Sequence, residues 1–171
     1  MKPIVLTGFM GCGKSTLGRL LAQRLGCQFV DLDGAIERQA GMTIPQIFDR
    51  QGEEAFRLLE TQKLKELLED SSLVIATGGG AVLREENRAL MLQKGVVVFL
   101  KAAPDLIYQR ISLNDRRPLA KGKSQEEMAA LYQSRMPFYQ QCHICYEELD
   151  KTPLQCANEL LLKLREEGYG D

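Results

Sequence analysis

Residues 8–16 read GFMGCGKST, an ungapped match to G-x-x-x-x-G-K-S/T. The stretch joins a short apolar run, 4–7, to residues 15–25, where apolar side chains recur at helical spacing. In that setting glycines let backbone N–H groups curl round an anion, and the helix N-terminus adds its positive end. Gly8, Gly11 and Gly13 supply the curvature. Lys14 offers a point charge to the outer phosphates, and Ser15 an oxygen to Mg2+. Because motif and context agree, a merely glycine-rich turn before an ordinary helix is disfavoured. Gly11, Cys12, Gly13, Lys14, Ser15 and Thr16 are therefore expected to bind a nucleoside triphosphate.

A phosphate cradle does not name a reaction. Asp31 and Asp33 flank Leu32 at the end of a second apolar run, 28–31. Residues two apart on a strand share a face, so both carboxylates can look into a cleft above the strand ends. Asp33 could equally cap the helix that follows. Arg57 lies in GEEAFR (52–57), with Glu60 three residues on and able to hold its guanidinium. The alternative is a surface ion pair of little worth. Arg135 lies in SRMPFY (134–139), two residues before Pro137. That proline is expected to bend or end its helix and could aim Arg135 inward; a solvated arginine is the alternative. Finally, 74–82 reads VIATGGGAV. A backbone without Cβ atoms lets a ligand come close, whereas a turn needing positive φ would explain one glycine but hardly three. Where many proteins with this phosphate loop carry a second metal-binding Asp, the strand here ends in Thr77 and glycines. The carboxylate duties then fall to Asp31 and Asp33, and the glycines are left to touch an acceptor.

The elements that must position these residues are legible from periodicity. Strands are expected at 4–7, 28–31, 73–76, 96–100 and 143–147, and helices at 15–25, 35–40, 43–50, 52–69, 85–93, 105–112, 124–136 and 154–167. Thr43 is a plausible cap, and Ser124 with Glu127 forms a capping box. Residues 113–123, LNDRRPLAKGK, are polar, basic and broken by Pro118 and Gly122, and read as a mobile loop. Short apolar strands alternating with helices imply a parallel sheet covered on both faces.

The chain has 171 residues, enough for one domain spanning 1–171 that buries about 70% of its unfolded surface without metal or disulfide staples. Net charge is −1, Trp is absent and aromatic residues make up 6%, which argues against nucleic acid as a partner. The first apolar run is too short for a signal peptide or a membrane span. Five cysteines in no secretory pattern fit reduced thiols, and a cytoplasmic protein is expected. Cys142-His143-Ile144-Cys145 resembles half a metal knuckle, but the ligand count falls short of a zinc site. No resident metal beyond Mg2+ is expected. A start at Met1 and compact ends lead to the expectation of a complete protein.

Taken together, GFMGCGKST, DLD (31–33), GEEAFR, TGGGAV (77–82), RPL (117–119) and SRMPFY resemble the shikimate kinases, in that family's order and over nearly the whole chain. The resemblance implies a three-layer α/β/α P-loop fold with a five-stranded parallel sheet and a mobile lid, 113–123. It implies transfer of the γ-phosphoryl of MgATP to the 3-hydroxyl of shikimate, a step toward chorismate and the aromatic amino acids. Asp33 would hydrogen-bond the acceptor hydroxyl and could act as base. Arg57 and Arg135 would hold the shikimate carboxylate, while Gly79 and Gly80 would meet the ring hydroxyls through the backbone. Asp31 would assist Mg2+ beside Ser15. Arg117, adjacent to Arg116, would reach the phosphates from the lid, and Arg110 would stack on adenine. A monomer is expected, with no nucleic-acid or membrane partner.

The chain departs from the pattern at Cys12, which stands where small non-thiol residues are usual, at a helix N-terminus that can activate a thiol. The adenine side near Thr152 and Pro153 is poorly matched. A gluconate kinase or a nucleoside monophosphate kinase would share the phosphate loop and lid, but DLD with the triple glycine speaks against both. A GTPase-like switch would need an NKxD guanine reader, which is missing. A non-catalytic ATP-binding homologue would have lost Asp33, Lys14 or Arg117, and all three are present.

Overall fold

A computed structural model describes residues 1–9, 13–102, 124–147 and 151–169. Strands β1 (Ile4–Thr7), β2 (Gln28–Asp31), β3 (Leu73–Ala76), β4 (Val96–Lys101) and β5 (Ile144–Glu147) form one sheet in the order β2-β3-β1-β4-β5. Every neighbouring pair is parallel, and Ile4 lies opposite both Val74 and Val96. The central strands IVLT, LVIA and VVVFL are buried throughout, because helices cover both faces and leave no polar side for alternation. The edge strand β5 alternates buried and exposed residues.

The described helices are α1 (Lys14–Leu25), α2 (Leu32–Ala40), α3 (Ile44–Gln51), α4 (Glu53–Leu67), α5 (Glu85–Lys94), α6 (Gln125–Tyr139) and α7 (Pro153–Glu166), with a single 3-10 turn over Ala81–Leu83. Helix α1 packs on α7, while α4 packs on α2, α3 and α5. The α/β class expected from the sequence is the one found, and the expected 105–112 helix and 113–123 loop lie outside the described residues.

Two local expectations need correction. Helix α2 begins at Leu32, not residue 35. Asp33 therefore sits in the first helical turn, so it does not share a strand face with Asp31; nor does it cap the helix, since Asp31 occupies the N-cap position. Helix α6 also runs through Pro137 to Tyr139. The proline falls in the last turn, where it forfeits only one intrahelical bond before the helix would end anyway.

From β1 the chain crosses to β2, and from β3 it crosses the opposite way to β4. This reversal opens a crevice at the carboxyl ends of β1 and β3, where ligands of open α/β sheets bind. Beyond β1 come Gly8 and Phe9; beyond β3 come Thr77 and the three glycines. Thr77 ties the two exits together: its N–H and its hydroxyl both donate to Leu6 O, at 3.1 and 2.9 Å.

Candidate active site

On the β1 side, Gly13 caps α1 in the left-handed region at φ 88°, ψ 19°, a conformation that favours glycine. Lys14 is buried, and its Nζ donates to Gly8 O at 2.7 Å and Phe9 O at 2.9 Å. The ammonium is thereby anchored where the loop leaves β1. Ser15 is half-buried and Thr16 exposed at the start of the helix. Gly11 and Cys12 lie outside the described residues, as do Arg110, Arg116 and Arg117.

The glycines after β3 answer a different demand. None of Gly78, Gly79 and Gly80 has a positive φ, so turn geometry does not require them. Close approach does. A Cβ at Gly78 would sit 2.9 Å from Asp33 Oδ1, and a Cβ at Gly80 would sit 2.4 Å from Arg57 Nη2. The turn is thus wedged between the carboxylate of α2 and the guanidinium of α4, and any larger residue at either position would push one of them out of place.

Arg57 is buried at 7% exposure, and Glu60, at 0%, receives its Nη1 at 2.9 Å. Glu53, on the preceding turn, lies 3.6 Å from Nη2. This is a buried ion pair rather than a solvated one. Burial pushes the Glu60 carboxyl up to about 7, with the Asp33 charge acting the same way and Arg57 and Arg84 opposing. Arg135, on α6, is 5% exposed; its guanidinium lies over the Phe9 ring at 5.7 Å. Its Nη1 is buried and has no hydrogen-bond partner among the described residues, a polar group with capacity for an anion. A ladder of rings supports this side: Phe9 stacks on Tyr132 at 5.1 Å, Tyr132 meets Tyr139 edge-on at 6.0 Å, and Tyr139 stacks on Phe99 at 5.1 Å.

Asp31 makes no side-chain cap bond to the helix it precedes, so its carboxylate is not used up by the α2 amides. Among the described residues there is no cluster of three or more His, Cys, Asp or Glu able to hold a metal. In the Cys142–Cys145 stretch, His143 Nδ1 accepts from the Val97 N–H at 2.9 Å, extending the β4–β5 pairing.

The family model for shikimate kinase matches residues 10–165. The chain belongs to the shikimate kinase family. It is 41% identical to a shikimate kinase of Thermodesulfovibrio yellowstonii over 94% of each chain. It is 41% identical to that of Enterococcus faecalis over 97% of this chain and all of the relative. The solved structure of the Acinetobacter baumannii shikimate kinase in complex with shikimate superposes with a TM-score of 0.94, at 38% identity, over 98% of this chain and 95% of that one. Like the family, the chain is an enzyme that transfers phosphoryl groups and takes ATP as donor. No helix among the described residues is long and apolar enough to cross a membrane.

Of the residues singled out from sequence, the structure gathers Asp33, Arg57 and Gly78–Gly80 around one turn, with Lys14 and Arg135 beside the β1 exit. Sequence reasoning passed over Tyr139, Thr61 and Asn87. Tyr139 stood inside SRMPFY without a role, and nothing in the pattern of α5 distinguishes Asn87 from a surface polar residue.

Proposed function

We propose that this chain transfers the γ-phosphoryl group of MgATP to the 3-hydroxyl of shikimate, giving shikimate 3-phosphate and ADP. The observation that carries the reading is the glycine turn at the switch point, wedged between Asp33 and Arg57 and tied through Thr77 to the strand that ends in the phosphate loop. A carboxylate and a guanidinium on either side of a backbone that carries no side chains suit an acceptor that bears both hydroxyls and an acid group.

Asp33 accepts a hydrogen bond from the attacking hydroxyl and takes its proton as phosphoryl transfer proceeds. Arg57 and Arg135 hold the acceptor carboxylate, for which the planar guanidinium is a bidentate match. Backbone groups of Gly79 and Gly80 meet the ring. Gly11, Cys12, Gly13, Lys14, Ser15 and Thr16 cradle the phosphates, with Lys14 and Arg117 set against the charge that develops. Arg110 stacks on the adenine. Ser15 and Asp31 would hold Mg2+, which when bound offsets phosphate charge. The enzyme works as a single-domain cytoplasmic monomer, with neither nucleic acid nor membrane as partner.

The test is ADP release measured with shikimate, gluconate and AMP side by side. Release should be fast with shikimate and at background with the others. Gluconate or AMP serving as well as shikimate would overturn the assignment.

A further inference from the structure

We infer that Tyr139 is a positioning residue for the acceptor site, acting through the carbonyl of Gly79, and that Asn87 holds the other side of the same turn. The inference rests on the acceptor lying against Gly79 and Gly80, as proposed above.

The hydroxyl of Tyr139, at the end of α6, donates to Gly79 O at 2.5 Å across 60 residues of chain, and the ring is 1% exposed. A trans peptide unit is planar, so the Gly79 carbonyl and the Gly80 N–H point opposite ways, and there is no cis peptide among the described residues. Fixing the carbonyl therefore fixes the direction of the Gly80 N–H. No acceptor among the described residues meets that N–H. On the far side of Gly80, Asn87 Nδ2 donates to Ala81 O at 3.0 Å. Its Oδ1 accepts from the Thr61 hydroxyl at 2.7 Å, and Thr61 stands one helical turn beyond Arg57 on α4. Arg88 then takes Val82 O at 2.8 Å and Leu83 O at 3.1 Å, with its guanidinium over Phe138 of α6 at 4.6 Å. Gly78 O and Gly80 O accept from the N–H groups of Ala81 and Leu83.

Every carbonyl from Gly78 to Leu83 is thus tied back into the protein. The side chains that tie them come from α5 and α6, and through Thr61 from the helix that bears Arg57. Flexible glycines would otherwise let the peptide units rotate. The clamp supplies the rigidity that the missing side chains remove, while keeping the space those side chains would fill. Tyr139 lies one turn beyond Arg135 on α6, so the same helix that presents the second guanidinium also sets the turn opposite it.

Tyr139→Phe removes the hydroxyl and keeps the stacked ring; Asn87→Ala strips a fully buried amide and serves as the harsher second variant. Both are compared with Arg57→Ala by the KM for shikimate, kcat, nucleotide affinity and thermal unfolding. Tyr139→Phe should raise the shikimate KM about tenfold, the size of one lost buried hydrogen bond, with nucleotide affinity unchanged. If Arg57→Ala raises that KM while Tyr139→Phe only lowers the unfolding temperature, the positioning role is overturned and the site reading stands. Equal losses of shikimate and nucleotide affinity in Tyr139→Phe would also overturn it, as a general loosening. If Arg57→Ala leaves the shikimate KM unchanged, the site reading itself fails and the inference goes with it.

Discussion

Of the described glycines, Gly80 has the least room for a side chain. An alanine there would place its Cβ 2.4 Å from Arg57 Nη2, and Arg57 cannot swing away without breaking its 2.9 Å bond to buried Glu60. Overpacking of this kind costs roughly 1–3 kcal/mol. Gly80→Ala should therefore raise the shikimate KM about tenfold or more while nucleotide affinity holds, as steady-state kinetics and ADP titration would show. Unaltered acceptor kinetics would mean that Arg57 is not the group held there. Asp33 makes a different prediction. Asp33→Asn keeps the shape but cannot take a proton, so kcat should fall about 100-fold or more with ATP binding intact. Near-normal turnover would remove Asp33 from the mechanism. The types of these residues were legible from sequence, because Asp, Arg and runs of Gly are costly unless used. Their arrangement was not. Three glycines suggest that something comes close, and only the packing reveals that Asp33 and Arg57 themselves come close to Gly78 and Gly80.

At the scale of elements, one helix does several jobs at once. Over little more than a turn, α4 presents Arg57 to the glycine turn, Phe56 to the core and edge-on to Phe48 of α3 at 5.2 Å, and Thr61 to Asn87. It packs on α3, whose start is set by a full capping box. Thr43 accepts from the Gln46 N–H at 3.3 Å, and the Thr43 N–H is met by the Gln46 side chain at 2.9 Å. Thr43→Ala should cost about 1 kcal/mol in urea denaturation. It should leave the shikimate KM unchanged, because α4 is held independently by its own buried face. This cap was legible, since threonine before a helical run with glutamine three residues on is a local signal. The start of α2 was misplaced for an equally local reason. DLD reads as a strand end, yet nothing in Leu32-Asp33-Gly34 forbids helix, and burying Leu32 at 0% exposure draws the helix forward. The short 3-10 turn at Ala81–Leu83 left no trace in the sequence. Its carbonyls are held by Asn87 and Arg88, neighbouring side chains that reach the turn only once α5 has docked.

For the whole molecule, parallel order and central burial followed from apolar runs that do not alternate, but the strand order β2-β3-β1-β4-β5 did not. Long-range pairing is chosen by packing rather than by local pattern. That order brings Asp33, Arg57 and Glu60 into one buried neighbourhood, and folding stability should register it through pH. The Glu60 carboxyl is raised from an ordinary 4.5 to about 7 in the native state. The folded protein therefore holds this proton more tightly than the unfolded chain, and the associated stability is fully present below about 4.5 and lost as pH rises through about 7. A shift of that size corresponds to roughly 3 kcal/mol. His143 has the opposite sign: burial and Lys2 lower its pKa, so its contribution is present above the ordinary 6.5 and lost as pH falls. The two trends overlap in the wild type, but His143 is common to wild type and Glu60→Gln and cancels in their difference. Urea denaturation of both proteins between pH 4.5 and pH 8 should show Glu60→Gln gaining on wild type by a few kcal/mol as pH rises through the window set by the raised carboxyl. Parallel stability curves would show that Glu60 titrates as an ordinary carboxylate, its burial beside Arg57 notwithstanding.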